Sequence, residues 1–472
     1  MSTPAPSTFK KDLAAAYCAT GAKVLSWAVV AGVAFRLHGV EVLAVLALAR
    51  GTIGLLNYVT LGIGPAMVHM LARTNVPQKV VPVIEPTELP ASTILDYARP
   101  KLEKPVVHVD PFSQLYADGL KAGFLMVIVG AILIQMYSAY FTSFHDVPRF
   151  LQREQLSYFV VGLGAGLLAR LLGDVPGAVL QVRGKQALDQ CLVALGDVAW
   201  VALLGLVLWV NDTGRPTDFI ATVGRCYFAS GVLALILRVT AAAFYTKGIL
   251  HATTSGRRMN QLLAYGSVLT FAQLADFLYA PTDMILINRL IHPDAVAIYT
   301  PAVQLDAALL LGISGLATVL LPRAAVAYAA GNVQRLRHDY VRGTLVSAGL
   351  LLVGALLLWA LSPWLLNVWF GDPMPATQAI LPLVLVHTVV GGSSAVGRSI
   401  LLGMGRVKPY AVVALIAGVS NVVLSYVFVK FFDMGLNGIV LGTIVVVVAR
   451  CAVWMPWYTL RALRQIRASL PI

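Results

Sequence analysis

The sequence predicts an all-α, polytopic membrane protein of about twelve transmembrane helices in two six-helix lobes. Composition is the first reason. Of 472 residues, 58% are hydrophobic and 12% charged, with a mean hydropathy of +0.79, and a soluble core has no use for that much apolar surface. The second is length: the apolar runs are each about 20 residues or more, enough for a helix to cross the hydrocarbon core, and lack the short alternation of a barrel. The third is an internal repeat, described below.

Reading the chain in such windows gives spans at 13–35, 41–72, 118–143, 156–180, 190–210, 218–246, 261–287, 298–322, 343–366, 377–402, 410–431 and 437–459. The start, MSTPAPSTFKKDLAAAY, reads as a short polar tail before a retained span; the first run carries Lys23 and has no small-residue cleavage site. The second run, VLAVLALARGTIGLLNYVTLGIG, carries Arg50, whose burial in lipid would cost roughly 2.5–3.5 kcal/mol. Between spans two and three, Asn75 to Pro111 holds seven prolines and mixed charges. Such a segment cannot bury a core, so it reads as an extended cytoplasmic loop or a partner-docking segment.

The connections on the other side, such as RLHGVE and NDTGRPTD, are too short to form a domain. Only Arg36, Arg149, Arg153, Arg215, Arg289 and Lys430 fall there, while Lys10, Lys11, Arg73, Arg258, Arg461 and many others gather at the opposite ends. By the positive-inside rule both termini are cytoplasmic. The basic balance is therefore topology, and no nucleic-acid motif accompanies it. Aromatic clusters at span ends (YSAYF, WLLNVWF, WMPWY) fit an interfacial belt. Cys18, Cys191, Cys226 and Cys451 show no CxxC spacing and read as packing residues.

The repeat lies in two pairs of segments. Span two ends in GIGPAMVHMLA and span eight in TVLLPRAAVAYAA; spans four and five meet at LQVRGKQ, spans ten and eleven at LLGMGRVKP. The two offsets differ by about the length of the Pro-rich insertion. This divides the chain into lobes 1–246 and 261–472 with a cytoplasmic linker at 247–260, a transporter signature.

Two stretches of the second half carry a resemblance. DMILINRLIHPDAVAIYTPAVQL (283–305) resembles the "Asp, apolar run, short loop, Val-x-x-Tyr" segment of polysaccharide exporters. LLGMGRVKPYAVVALIAGVSNVVLSYVFVKFFDMGLNGIVLGT (401–443) resembles their Gly-Arg turn, Asn-bearing helix and Gly-x-x-Gly motif before the last span. The chain is thus similar to the multidrug/oligosaccharidyl-lipid/polysaccharide (MOP) exporter superfamily, and within it to Wzx-like flippases; the Pro-rich loop departs from the usual short connection. The resemblance implies a V-shaped, alternating-access transporter in the bacterial inner membrane. It would move a polyprenyl-diphosphate oligosaccharide to the outer leaflet, with a polysaccharide polymerase or other assembly proteins as partners. A cleft spares the sugar hydroxyls the loss of their water in hydrocarbon, while the lipid tail stays outside.

Other classes predict different residues. A multidrug cation antiporter wants an acidic or aromatic lining. A membrane glycosyltransferase or polymerase needs catalytic groups on a sizeable polar loop, so no enzyme activity is expected. A structural subunit of a secretion complex would use the Pro-rich loop as its contact.

The charges inside the spans then sort by surroundings. Lys121 reads as interfacial, Arg225 as snorkelling, and Arg170 as paired with Asp174 one turn on. Lys23, Arg50, Arg238, Arg398 and Arg450 are deeper, with no acid one turn away, and read as cavity-lining substrate ligands. Lys23 and Arg50 also match by span the basic residues that the resemblance puts on the first two helices. Asp276 and Asp283 share a face of span seven, and with Asp306 are candidates for a gate or ion coupling; Asp197 stands alone. No cofactor is expected. Histidines such as His69 and His387 form no metal-ligand spacing, so no metal is expected either.

Overall fold

The computed structural model describes residues 6–54, 56, 62–74, 111–144, 153–210, 215–246, 258–264, 267, 280–329, 331–404 and 406–469. Asp276, the linker residues 247–257 and the Pro-rich stretch 75–110 lie outside the described residues. The first half is built from α1 (Pro6–Ile53), α2 (Ile63–Thr74), α3 (Pro111–Phe144), α4 (Arg153–Leu172), α5 (Asp174–Val182), α6 (Gln186–Val210) and α7 (Pro216–Ala243). The second comprises α8 (Ala280–Leu290), α9 (Pro293–Ala329), α10 (Val333–Phe370), α11 (Pro375–Ser393), α12 (Ala395–Gly403), α13 (Val407–Lys430), α14 (Gly435–Val447), a π-helical stretch (Val448–Trp454) and α15 (Met455–Ser469). Every regular element among the described residues is helical, so the all-α expectation is borne out.

Local chemistry sets the helix ends. Pro111, Pro216, Pro293 and Pro375 open helices, where a missing N–H costs nothing. Asn332 caps α10 by accepting from Arg335 N at 3.0 Å, and Gly371 closes it in the left-handed conformation.

Ten helices among the described residues are long and apolar enough to cross a membrane. The expected number was twelve, and the difference has two sources. α1 is two spans: Gly39, at φ 80° and ψ −165°, reverses the chain, and residues on either side of it, Trp27 and Arg50, end up in contact. Only glycine adopts that backbone cheaply. The seventh span is described only at its two ends, 258–264 and α8. Spans four and ten are each interrupted, at Gly173 and at Ser394, which are corresponding positions of the repeat. The surface is inverted relative to a soluble protein: Leu25, Phe124, Leu345, Trp364 and Val453 are exposed.

Packing within the first half depends on close backbone approach. On α4 and α7, Gly162, Gly166, Gly224 and Gly231 leave so little space that a Cβ on any of them would come within 2.5–2.8 Å of the facing helix's backbone. Small residues bring membrane helices together in this way.

The halves meet at the end of the bundle that carries the Gly39 turn. Arg36 Nε donates to Trp369 O at 3.1 Å, and its Nη2 donates to Val368 O; Trp369 Nε1 donates to Ala28 O at 2.7 Å. Gly32 makes room for the indole, since a Cβ there would lie 2.8 Å from the ring. Farther in, α9 packs against both arms of α1. Toward the opposite end, residues 258–264 pack on the first half. Leu262 joins a buried cluster with Ile63, Met67 and Val175, and Arg258 binds Asp118 Oδ2 and Gln114 Oε1, each at 2.7 Å. Residues 261–264, which the repeat counts with the second lobe, therefore sit against the first.

Candidate functional site

Five helical segments of the first half place charged side chains around one cavity of about 180 Å³. α1 contributes Lys23, α4 Arg170, α5 Asp174, α6 Asp197, and α7 Tyr227 and Arg238. A low-dielectric interior makes each unpaired charge costly, so partners decide which groups stay available. Arg238 is fully engaged: Nε donates to Asp189 Oδ1 at 2.8 Å and Nη1 to Asp174 Oδ1 at 2.9 Å. Gln181 adds a 2.9 Å bond to the other oxygen of Asp189. Gly173 and Gly177 form the slot for this guanidinium, which would meet a Cβ at either position.

Arg170 binds Asp197, Ser230 Oγ at 2.9 Å and Gly196 O, and its guanidinium lies 4.6 Å from the Tyr227 ring centroid. The expected Arg170–Asp174 pair is thus corrected. The interruption at Gly173 separates the two residues into different helical segments, and each finds its partner across a helix interface instead. Asp189 was not a sequence candidate, because spacing along the chain does not report pairs between helices.

Lys23 and Arg50 differ from these. Lys23 is exposed to the cavity and forms no ion pair among the described residues. Arg50, partly buried, lies over Trp27 with its guanidinium 4.5 Å from the ring centroid, and has no carboxylate or hydrogen-bond partner among the described residues. Trp27 follows Lys23 by one helical turn, so both cations project from one stretch of the α1 hairpin. The group as a whole is Lys23, Arg50, Arg170 and Arg238 against Asp174, Asp189 and Asp197, with one net positive charge. Arg225 and Lys121 are exposed, and Arg225 lies 5.9 Å from the Tyr158 ring.

The second half holds buried acids. Asp283 is fully buried and accepts from Asn421 Nδ2 at 3.0 Å, Thr443 Oγ1 at 3.0 Å and Tyr299 Oη at 3.1 Å. Four helical elements (α8, α9, α13 and α14) converge there, and no cation is bonded to the carboxylate among the described residues. Ser425 lies one turn beyond Asn421 and donates to Ile439 O at 3.2 Å. Asp306 accepts from Thr388, with His387 within electrostatic reach. Arg398 lies on α12 beside Tyr410, and Arg450 in the π-helical stretch, both away from the first-half cavity. Among the described residues no three His, Cys, Asp or Glu side chains group as a metal site.

Two protein-family models match the chain: MatE over residues 268–427 and the polysaccharide biosynthesis protein family over residues 179–328. Several solved structures are similar along nearly its whole length. An inward-facing multidrug resistance MATE family transporter of the MOP superfamily aligns with a TM-score of 0.74 at 15% identity, covering 94% of this chain and 96% of that one. An outward-facing structure of such a transporter gives 0.67 at 15% identity, covering 98% and 96%. A MOP superfamily transporter from Pyrococcus furiosus, described as having a binding pocket of reverse polarity that suggests a different function, gives 0.66 at 15%, covering 98% and 96%. No curated protein matches the chain. The fold is the twelve-helix V of these transporters, and the MOP resemblance carried by 283–305 and 401–443 is borne out.

Proposed function

We propose that this chain, with its MOP-transporter fold, is a flippase that moves a lipid-linked oligosaccharide with an anionic, diphosphate headgroup across the membrane. One observation carries the reading. Among the described in-span cations of the first half's central cluster, Arg170 and Arg238 are neutralised by carboxylates, whereas Lys23 and Arg50 are not. Two cations without a carboxylate partner, in a cluster that is net positive, are expensive in a membrane interior unless they meet an anion, and a diphosphate supplies one. The guanidinium over Trp27 offers a planar fork for phosphate oxygens, and Lys23 offers a point charge. Sugar hydroxyls would find the polar cavity next to it. With both termini in the cytoplasm, an inside-negative potential favours outward movement by ~2.3 kcal/mol per charge per 100 mV.

We assign energetic coupling to Asp283, whose carboxylate is met only by neutral donors and can be answered by a small cation or a proton. Asp306 is the second candidate. The competing reading, multidrug export, draws on the MatE match over 268–427 and on these buried acids of the second half. Reconstitution separates the two. Proteoliposomes should move a polyprenyl-diphosphate oligosaccharide and leave a fluorescent organic cation where it is; the converse pattern would establish the drug-export reading.

A further inference from the structure

A second, much smaller cavity lies where the halves touch. It is lined by both arms of α1 and by α9, and its volume is about 10 Å³, room for roughly one water molecule. Most of its wall is aliphatic. Three polar side chains reach it: Arg50 from the first half, and Thr300 and Gln304 from the second. Thr300 uses its hydroxyl proton on Val296 O at 2.6 Å. Gln304 is only 8% exposed, and its Oε1 has no hydrogen-bond partner among the described residues. Arg50 brings unpaired donors to the same cavity. Among the described residues, one buried acceptor without a donor and one partly buried cation without an acceptor therefore line the same water-sized space across the lobe interface. Buried polar groups are almost always paired, directly or through a water.

We propose that Gln304 is a positioning residue: its side-chain carbonyl holds Arg50 across the interface, through one water or directly, while the halves are together at the Gly39 end. This rests on Arg50 binding the anionic headgroup. A phosphate is a far stronger acceptor for a guanidinium than an amide carbonyl. Substrate therefore takes Arg50 away from Gln304 and removes a contact that keeps that end closed. The empty carrier stays shut there, and the loaded one is freed to open. By linkage, anything that strengthens the contact weakens substrate binding.

The test uses the full chain in a cysteine-free background, with spin labels at the exposed positions Val40 and Ala376, which flank the Gly39-end contact from either half. Pulsed EPR reads closed and open populations. Gln304→Glu turns the contact into an ion pair, and should cut the open-to-closed ratio at least about fivefold, the low end of ordinary site-to-site couplings, with no ligand present. Gln304→Leu, which cannot accept a bond, should raise the ratio. In an Arg50→Ala background both effects should vanish. A Gln304→Glu shift that survives loss of Arg50, or no shift in either Gln304 variant, overturns the proposal. A short-chain polyprenyl diphosphate added to the parent protein should raise the open fraction, and the gain should shrink in Gln304→Glu. If the ligand-free cycle holds but the diphosphate changes nothing, the contact between Arg50 and Gln304 stands and the headgroup reading falls.

Discussion

Replacing Arg238 by leucine removes the guanidinium from between two carboxylates of the first half, and its cost can be worked from the contacts. Asp189 is fully buried and would keep only its bond from Gln181. Asp174 is 44% exposed to the cavity, so solvent screening discounts its share. Removing one partner of a buried pair costs about 3–5 kcal/mol, mostly from the charge left behind. For a unit the size of this half, each 1 kcal/mol lowers the unfolding midpoint by about 2–4 °C, so a fall on the order of 10 °C is expected. Thermal unfolding in detergent, followed through tryptophan fluorescence, reads it directly. Asp189→Asn in the same chain removes the stranded charge and should restore at least half of the loss. If Arg238→Leu melts with the parent protein, or the second substitution restores nothing, the ion-pair account of this cavity is wrong.

Three further outcomes follow from the contacts. Gly39→Val forces a β-branched residue into a glycine-only backbone, so it should lower stability by ~1–3 kcal/mol in the same melting assay. Gly32→Val displaces the Trp369 indole from its seat against α1; distance measurement between labels on the two halves should show them farther apart at the Gly39 end, with little change in the melting of either half. Asp283→Asn keeps the hydrogen-bonding shape and removes the charge, so transport by reconstituted protein should lose its dependence on the coupling cation or on pH while the protein still folds.

The sequence carried the architecture because a bilayer leaves few alternatives: long apolar runs must be helices, and positive charge must collect on one side. It also carried the repeat, whose corresponding interruptions appear at Gly173 and Ser394. What it could not carry was which charges meet. Spacing along a helix offered Asp174 to Arg170, yet the structure gives Arg170 to Asp197 on α6 and Asp174 to Arg238 on α7. Arg238 looked solitary because its acids lie on other helices. Asp283 was legible as a residue, but its three donors come from separate helical elements that only the fold brings together. The reversal at Gly39 falls in RLHGVE, which the sequence reads as the short connection between spans 13–35 and 41–72; what only the structure shows is that a single glycine conformation makes the turn, with helix on either side.

The central claim is that Arg50 is kept in the membrane interior for an anionic substrate and not for the fold. The most direct measurement compares transport and thermal stability in one preparation of Arg50→Ala and Arg50→Lys proteoliposomes supplied with a polyprenyl-diphosphate oligosaccharide. Arg50→Ala should melt within about 1 kcal/mol of the parent, since no carboxylate is left stranded, and should lose outward movement of the substrate. Arg50→Lys should keep part of it, because the charge survives and the planar fork does not. Full transport by a well-folded Arg50→Ala protein, or loss of stability in step with loss of transport, would contradict the account.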